Sequence, residues 1–225
     1  MGILLLVRHG QASLGAADYD RLSERGYRQA RATGARLARA DLVIDRVVCG
    51  TLARQRDSAA AVMAELPPPP GNGPAGSWPH VDDRLDEYDH GALLATGTAA
   101  VSFETVTSAE ANRELQPALE AAIARWAAGD AGAGESHDAF TGRVEAVMAD
   151  LTREPGCTVA VTSGGVIAVA CTQALGLPAG RWPALARVIV NGSITKFISG
   201  RTGTNLLTFN DHAHLEDDRS LISYR

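Results

Sequence analysis

Apolar residues in this chain fall into short continuous runs that alternate with longer stretches of helical spacing, the pattern of an α/β protein. Leu4-Leu5-Leu6-Val7 stops abruptly at Arg8-His9-Gly10-Gln11, as expected of a strand buried on both faces that delivers polar side chains to the rim of a sheet. Residues 13–20 lack periodicity, contain Gly15 and read as a loop. Ser23 is placed to cap a helix, with Glu24 in its first turn and Ala30, Gly34 and Leu37 at helical spacing as far as about Ala40. Residues 43–49, with Val43, Ile44, Val47 and Val48, predict a second buried strand ending at Gly50. Thr51 can then cap a helix whose first turn holds Leu52, Ala53 and Arg54.

Further along, Leu66-Pro67-Pro68-Pro69-Pro70-Gly71-Asn72-Gly73-Pro74 breaks any regular structure and reads as a surface loop. Residues 81–85 predict a short strand leading into the acidic stretch Asp82, Asp83, Asp86, Glu87, Asp89. Residues 97–107, rich in Thr, Ser and small side chains, suit a mobile lid. Pro117 fits the first turn of a helix that presents Leu119, Ile123 and Trp126. Phe140, Val144, Val147, Met148 and Leu151 form the clearest helical stripe in the chain, with Pro155-Gly156 beyond its end. Residues 158–162 are a third buried strand, which stops at Ser163-Gly164-Gly165 before an apolar helix from Val166 to about Leu175. Residues 187–190, 193–198 and 205–209 supply the last strand candidates.

Composition narrows the functional classes. A net charge of −5 argues against a general nucleic-acid binder, which needs a cationic surface to displace counterions. It leaves room for a small anion held by a local arginine cluster. Cys49, Cys157 and Cys171 are odd in number, scattered and set among apolar residues, so buried thiols in a reducing compartment are expected rather than disulfides or a zinc site. No leader pattern and no membrane-spanning apolar run is visible, and a cytoplasmic location is expected. His212-Ala213-His214 near aspartates is read as structural rather than metal-binding, and His80, His90 and His137 take surface or lid positions by default. Oligomeric state is left open.

The chemistry lies where strands end. Free backbone N–H groups at a helix start attract an anion, and an arginine there adds a bidentate fork, which makes Arg54 the candidate over Arg56, two residues on and on another face. Ser163-Gly164-Gly165 is a second such turn. Arg8-His9-Gly10, the stretch from Thr51 to Ala59 around Arg54, Arg84-Leu85-Asp86-Glu87 with Gly91, and Asn191-Gly192-Ser193 together resemble the motifs of the histidine phosphatase superfamily, the phosphoglycerate mutase-like branch 1 proteins, over nearly the whole chain. The resemblance implies a three-layer α/β/α sandwich with a mostly parallel central sheet, in one domain over residues 1–225, with a lid insertion at about 88–136.

It also implies a phosphomonoester phosphatase that needs no metal or cofactor and takes a small phosphorylated substrate or inorganic phosphate. His9 would be the nucleophile and Glu87 the proton donor. Arg8, Arg54, Ser163 and Gly164 would bind phosphate, and Gln11 and Ser13 could reach the pocket. One departure stands out: where the family has a second histidine followed by glycine, this chain has Ser163-Gly164. That substitution predicts a slow or narrow phosphatase, with a phospholigand-binding protein lacking turnover and a mutase-type phosphotransferase as alternatives. A hydrolase using Ser163 as nucleophile is disfavoured, because Val161 stands where a nucleophile elbow requires glycine.

Overall fold

A computed structural model of the chain describes residues 1–13, 19–67, 79–95, 109–129, 134–153, 155–201 and 203–224, with the backbone alone for 109–116. The predicted strands at residues 4–7 and 158–162 are the paired centre of a six-stranded sheet: β1 (Gly2–Arg8) runs parallel to β4 (Gly156–Thr162). β2 (Arg46–Cys49) lies parallel on the far side of β4, followed by the two-residue β3 (His80–Val81). On the other edge β5 (Ile194–Gly200) pairs antiparallel with β1, and β6 (Gly203–Asp211) antiparallel with β5, giving the order β3-β2-β4-β1-β5-β6. The carboxyl ends of β1, β2 and β4 therefore point the same way, and Arg8 pairs in register with Thr162.

Alternation along β1 sorts the core into two faces. Leu4 and Leu6 pack with α5 (His137–Arg153) and α6 (Gly164–Ala174), whereas Leu5 and Val7 pack with α1 (Glu24–Ala38) and α2 (Ala53–Met63). Helices on both faces of a mixed sheet make the expected three-layer sandwich. The α5 stripe of Phe140, Val144, Val147 and Leu151 is buried as its spacing predicts, each side chain contributing about 1.5–3 kcal/mol by leaving water. α3 (His90–Ala95) and α4 (Ala109–Ala127) fall within the expected lid, yet Leu93, Ala122, Ile123 and Trp126 belong to the main core. The short α7 (Trp182–Ala186) buries Trp182 in the same cluster.

Several boundaries differ from the sequence expectation. β2 begins at Arg46: at Asp45 the ladder gives way to a side-chain contact, the Asp45 N–H donating to Cys157 O at 2.9 Å while its carboxylate, not a backbone carbonyl, accepts from Cys157 N at 2.7 Å, and Val43 faces solvent. Of residues 81–85 only Val81 is in a strand. Asp82 then caps a 3₁₀ turn through Arg84 N. Residues 187–190 form a turn rather than a strand, Val188 N bonding Leu185 O and Val190 N bonding the Asn210 side chain. Pro117 sits inside α4 instead of at its start. The expected lid residues 97–107 and most of the proline-rich loop lie outside the described residues. No helix among the described residues is long and apolar enough to cross a membrane.

Candidate active site

A cavity of about 730 Å³ opens at the carboxyl ends of β1 and β4. Arg8, His9, Arg54, Glu87, Gly164 and Gln11 line it. Ser13 does not; its N–H bonds Arg21 O in the following loop. His9 follows the last residue of β1, and its backbone is fixed on both sides, N to Thr162 O at 2.8 Å and O from Asn191 Nδ2 at 3.1 Å. Gly10 is obligatory: a Cβ there would collide with the backbone of Gly26 on α1, and one on Gly26 would collide with Gln11 O. The N–H of Gly10 donates to Ser58 Oγ at 2.9 Å, and Ser58 Oγ donates to Arg54 O at 2.7 Å, so α2 and the β1 end are tied directly.

His9 Nδ1 lies 2.7 Å from Gly10 O. A carbonyl only accepts, so Nδ1 carries the proton and Nε2 holds the lone pair. Arg54 Nε donates to that lone pair at 3.3 Å. Burial, then the charges of Arg54 and Arg8, push His9 well below the usual histidine range and keep the ring neutral. Arg8 is buried, which lowers it to about 10 but leaves it cationic. Its Nη1 donates to Ile189 O, while its buried Nε has no partner. A buried guanidinium with an unsatisfied N–H beside a cavity is a donor held for an anion.

Arg54 is aimed by a residue that sequence reasoning passed over. Asp20, at the end of the loop after β1, accepts from Arg54 Nη1 at 2.5 Å and from Ala53 N at 2.6 Å. One carboxylate thus supplies the α2 cap expected of Thr51, whose hydroxyl instead donates to Asp86. Nothing in residues 13–20 marks Asp20, because its partner is 34 residues away. Arg54 also lies over the Tyr19 ring, 5.8 Å from its centroid.

Glu87 follows the 3₁₀ turn and accepts from Gly165 N at 2.9 Å. Gly165 must be glycine, since a Cβ would strike the Glu87 carboxylate. Burial raises Glu87 above the usual carboxylate range; the Gly165 N–H, Arg54 and Arg8 oppose this but do not cancel it. Burial thus shifts the two groups in opposite senses, His9 towards its neutral form at lower pH and Glu87 towards holding its proton to higher pH than an ordinary carboxyl.

Ser163 is set apart from the other expected phosphate-binding residues. It is fully buried at the start of α6, does not line the cavity, and its Oγ accepts from Gln55 Nε2 at 2.9 Å. The short side chain ends in protein, where Gln55 also donates to Leu85 O at 2.9 Å. Only the neighbouring glycines reach the cavity wall. His90 and His137, expected at surface or lid positions, are both drawn inward. His90 lines the cavity, and His137 is buried, its Nε2 accepting from Trp182 Nε1 at 3.1 Å. Among the described residues no group of His, Cys, Asp or Glu could hold a metal ion.

Fold and cavity together define a phosphatase-type α/β enzyme. Residues 4–212 match the family described as the histidine phosphatase superfamily (branch 1), and the chain belongs to it. Mycobacterial glucosyl-3-phosphoglycerate phosphatase complexed with VO3 is 27% identical, with a TM-score of 0.64 over 94% of this chain and 100% of that one. A mutant phosphoserine phosphatase from Entamoeba histolytica, in complex with phosphoserine, shares the fold at 20% identity, with a TM-score of 0.62 over 96% of this chain and 100% of that one. No curated protein matches the chain.

Proposed function

We propose that the chain hydrolyses phosphomonoesters through a phosphohistidine at His9. The observation that carries this is the neutral His9 with its lone pair on Nε2, flanked by Arg8 and Arg54, in one cavity with a carboxyl that burial makes a weaker acid than usual. A phosphoryl oxygen that takes the Arg54 Nε–H frees the His9 lone pair. Nε2 then attacks phosphorus while the ester P–O bond breaks, and Glu87 gives its proton to the leaving alkoxide. As carboxylate, Glu87 next takes a proton from water; the water oxygen bonds to phosphorus, the P–N bond breaks, and neutral His9 and phosphate result.

Arg8 and Arg54 neutralise the charge on the equatorial oxygens throughout, with Gly164 on the cavity wall beside them. Residues 1–225 act as one domain, and α4 contributes Leu119, Glu120 and Ile123 to the outer wall, where the alcohol part of the substrate lies. In this reading Ser163 stands where relatives carry a second histidine, and that position gives the cavity no side-chain donor.

The test is a panel of phosphomonoesters with acid-quench trapping of phosphohistidine. His9→Ala is expected to lower kcat by about 10⁴–10⁶ and to abolish the trapped species. Ser163's withdrawal from the cavity favours one second reading, a phospholigand-binding protein. Tight phosphate binding without turnover of any ester or trapped phosphohistidine would establish that instead.

A further inference from the structure

The cavity is not short of imidazoles; the second one comes from a different part of the chain. His90 is the first residue of α3 and lines the cavity with His9, Arg8 and Arg54. Two neighbours fix its place. Asp89 caps the helix start, its carboxylate accepting from Ala92 N at 2.8 Å and its carbonyl from Leu93 N at 3.1 Å. Tyr88 lies against the imidazole with ring centroids 4.2 Å apart. Tyr88 is itself buried, 5.3 Å from the rings of Trp126 and Phe140 and 5.5 Å from Trp182. His90 is therefore mounted on the aromatic core rather than on a pliant rim. The sequence also puts it three residues after Glu87, so the segment that supplies the acid supplies this ring as well.

We propose that His90 is a phosphate-contacting residue, donating a ring N–H to a phosphoryl oxygen and supplying the side-chain donor that Ser163 does not. This rests on the phosphatase reading above and goes beyond it in assigning the donor. Burial and the charges of Arg54 and Arg8 hold His90 down to about 3, so the ring is neutral at working pH, with one N–H and one lone pair. A neutral donor suits a pocket that already holds two guanidinium groups: it adds a hydrogen bond to the transferring group without adding cationic repulsion. His90 also acts on His9 in the lowering direction, which keeps the His9 lone pair available.

The test uses the full chain in variants that separate the donor from the ring. His90→Phe keeps a ring against Tyr88 and loses the N–H; His90→Gln keeps a donor and loses the ring. Each is measured for kcat and KM with a phosphomonoester, for inorganic vanadate affinity by calorimetry, and for thermal unfolding. The expected result is a 10- to 100-fold loss of kcat/KM and weaker vanadate binding in His90→Phe at unchanged Tm, with partial recovery in His90→Gln. Adding Ser163→His to His90→Phe should restore activity, while the same change in wild type gains little.

His90→Phe within twofold of wild type in both turnover and vanadate affinity would overturn the proposal. So would His90→Gln as impaired as His90→Phe together with a lowered Tm, which would mark a packing role. Wild type that neither binds vanadate nor turns over an ester would remove the phosphatase reading itself, a result distinct from an active wild type indifferent to His90.

Discussion

The sharpest consequences at the scale of single residues concern protons. Burial holds His9 neutral to well below the usual histidine range and holds the Glu87 proton above the usual carboxylate range. The proposed mechanism requires His9 unprotonated and Glu87 protonated. It should therefore fall on the acid side as pH drops through the lowered value of His9, and on the alkaline side as pH rises through the raised value of Glu87. A bell-shaped kcat/KM profile displaced to acid is expected. Glu87→Gln should lower kcat by about 10²–10⁴ for alkyl phosphates and remove the alkaline limb, and pH–rate curves for both proteins would show it. Arg8, His9 and Arg54 could be singled out in the sequence by a strand end or a helix start and Glu87 by the resemblance of its motif, and the fold brings the four to one cavity. Asp20, His90 and Gln55 were not, since what gives them a place is a contact across the fold: Asp20 on Arg54, His90 on Tyr88, Gln55 on Ser163. Ser163 was legible as a departure, but its burial depended on Gln55 filling the space behind it.

Among the elements, α6 shows how a helix start can serve chemistry indirectly. Its first turn gives the Gly165 N–H to Glu87 rather than presenting every donor to an anion, and the Cβ-free surface of Gly165 lets the carboxylate approach. Gly165→Ala should push Glu87 out of line and reduce kcat by about 10²-fold, as displacements near 1 Å do. KM should change much less, because Arg8 and Arg54 remain; steady-state kinetics on the variant separates the two. α5 and the β1–β4 pair were legible because a five-residue stripe and two apolar runs leave no other arrangement. Residues 43–49 and 187–190 were over-read as strands because apolar content does not reveal which backbone groups find partners elsewhere, as Asp45 and Asn210 provide. Pro117 misled for a related reason: proline favours a first turn, but the residues before it continue the helix from Ala109.

Across the molecule, the sheet separates two cores, and the site straddles them: Arg54 comes from the α2 side, Glu87 and His90 from the side of α5 and α6. The core on the side of α5 and α6 is anchored by an aromatic group in which Trp182 donates to buried His137. Trp182→Phe leaves that imidazole nitrogen unsatisfied and should cost about 1–3 kcal/mol, measurable as a lower urea midpoint with the same m-value. Since Tyr88 shares this group, the loss should be felt in the cavity wall as well. The antiparallel return of β5 and β6 has a practical consequence. It carries the chain back past His9, so that Asn191, Ile222, Ser223 and Tyr224 all border the cavity, whereas β1 starts at the opposite end of the sheet with Met1 85% exposed. An affinity handle fused beyond Tyr224 would emerge at the mouth through which ester enters and phosphate leaves, and would depress apparent turnover; one placed ahead of Met1 would hang from the opposite end of the strands and leave the assay undisturbed.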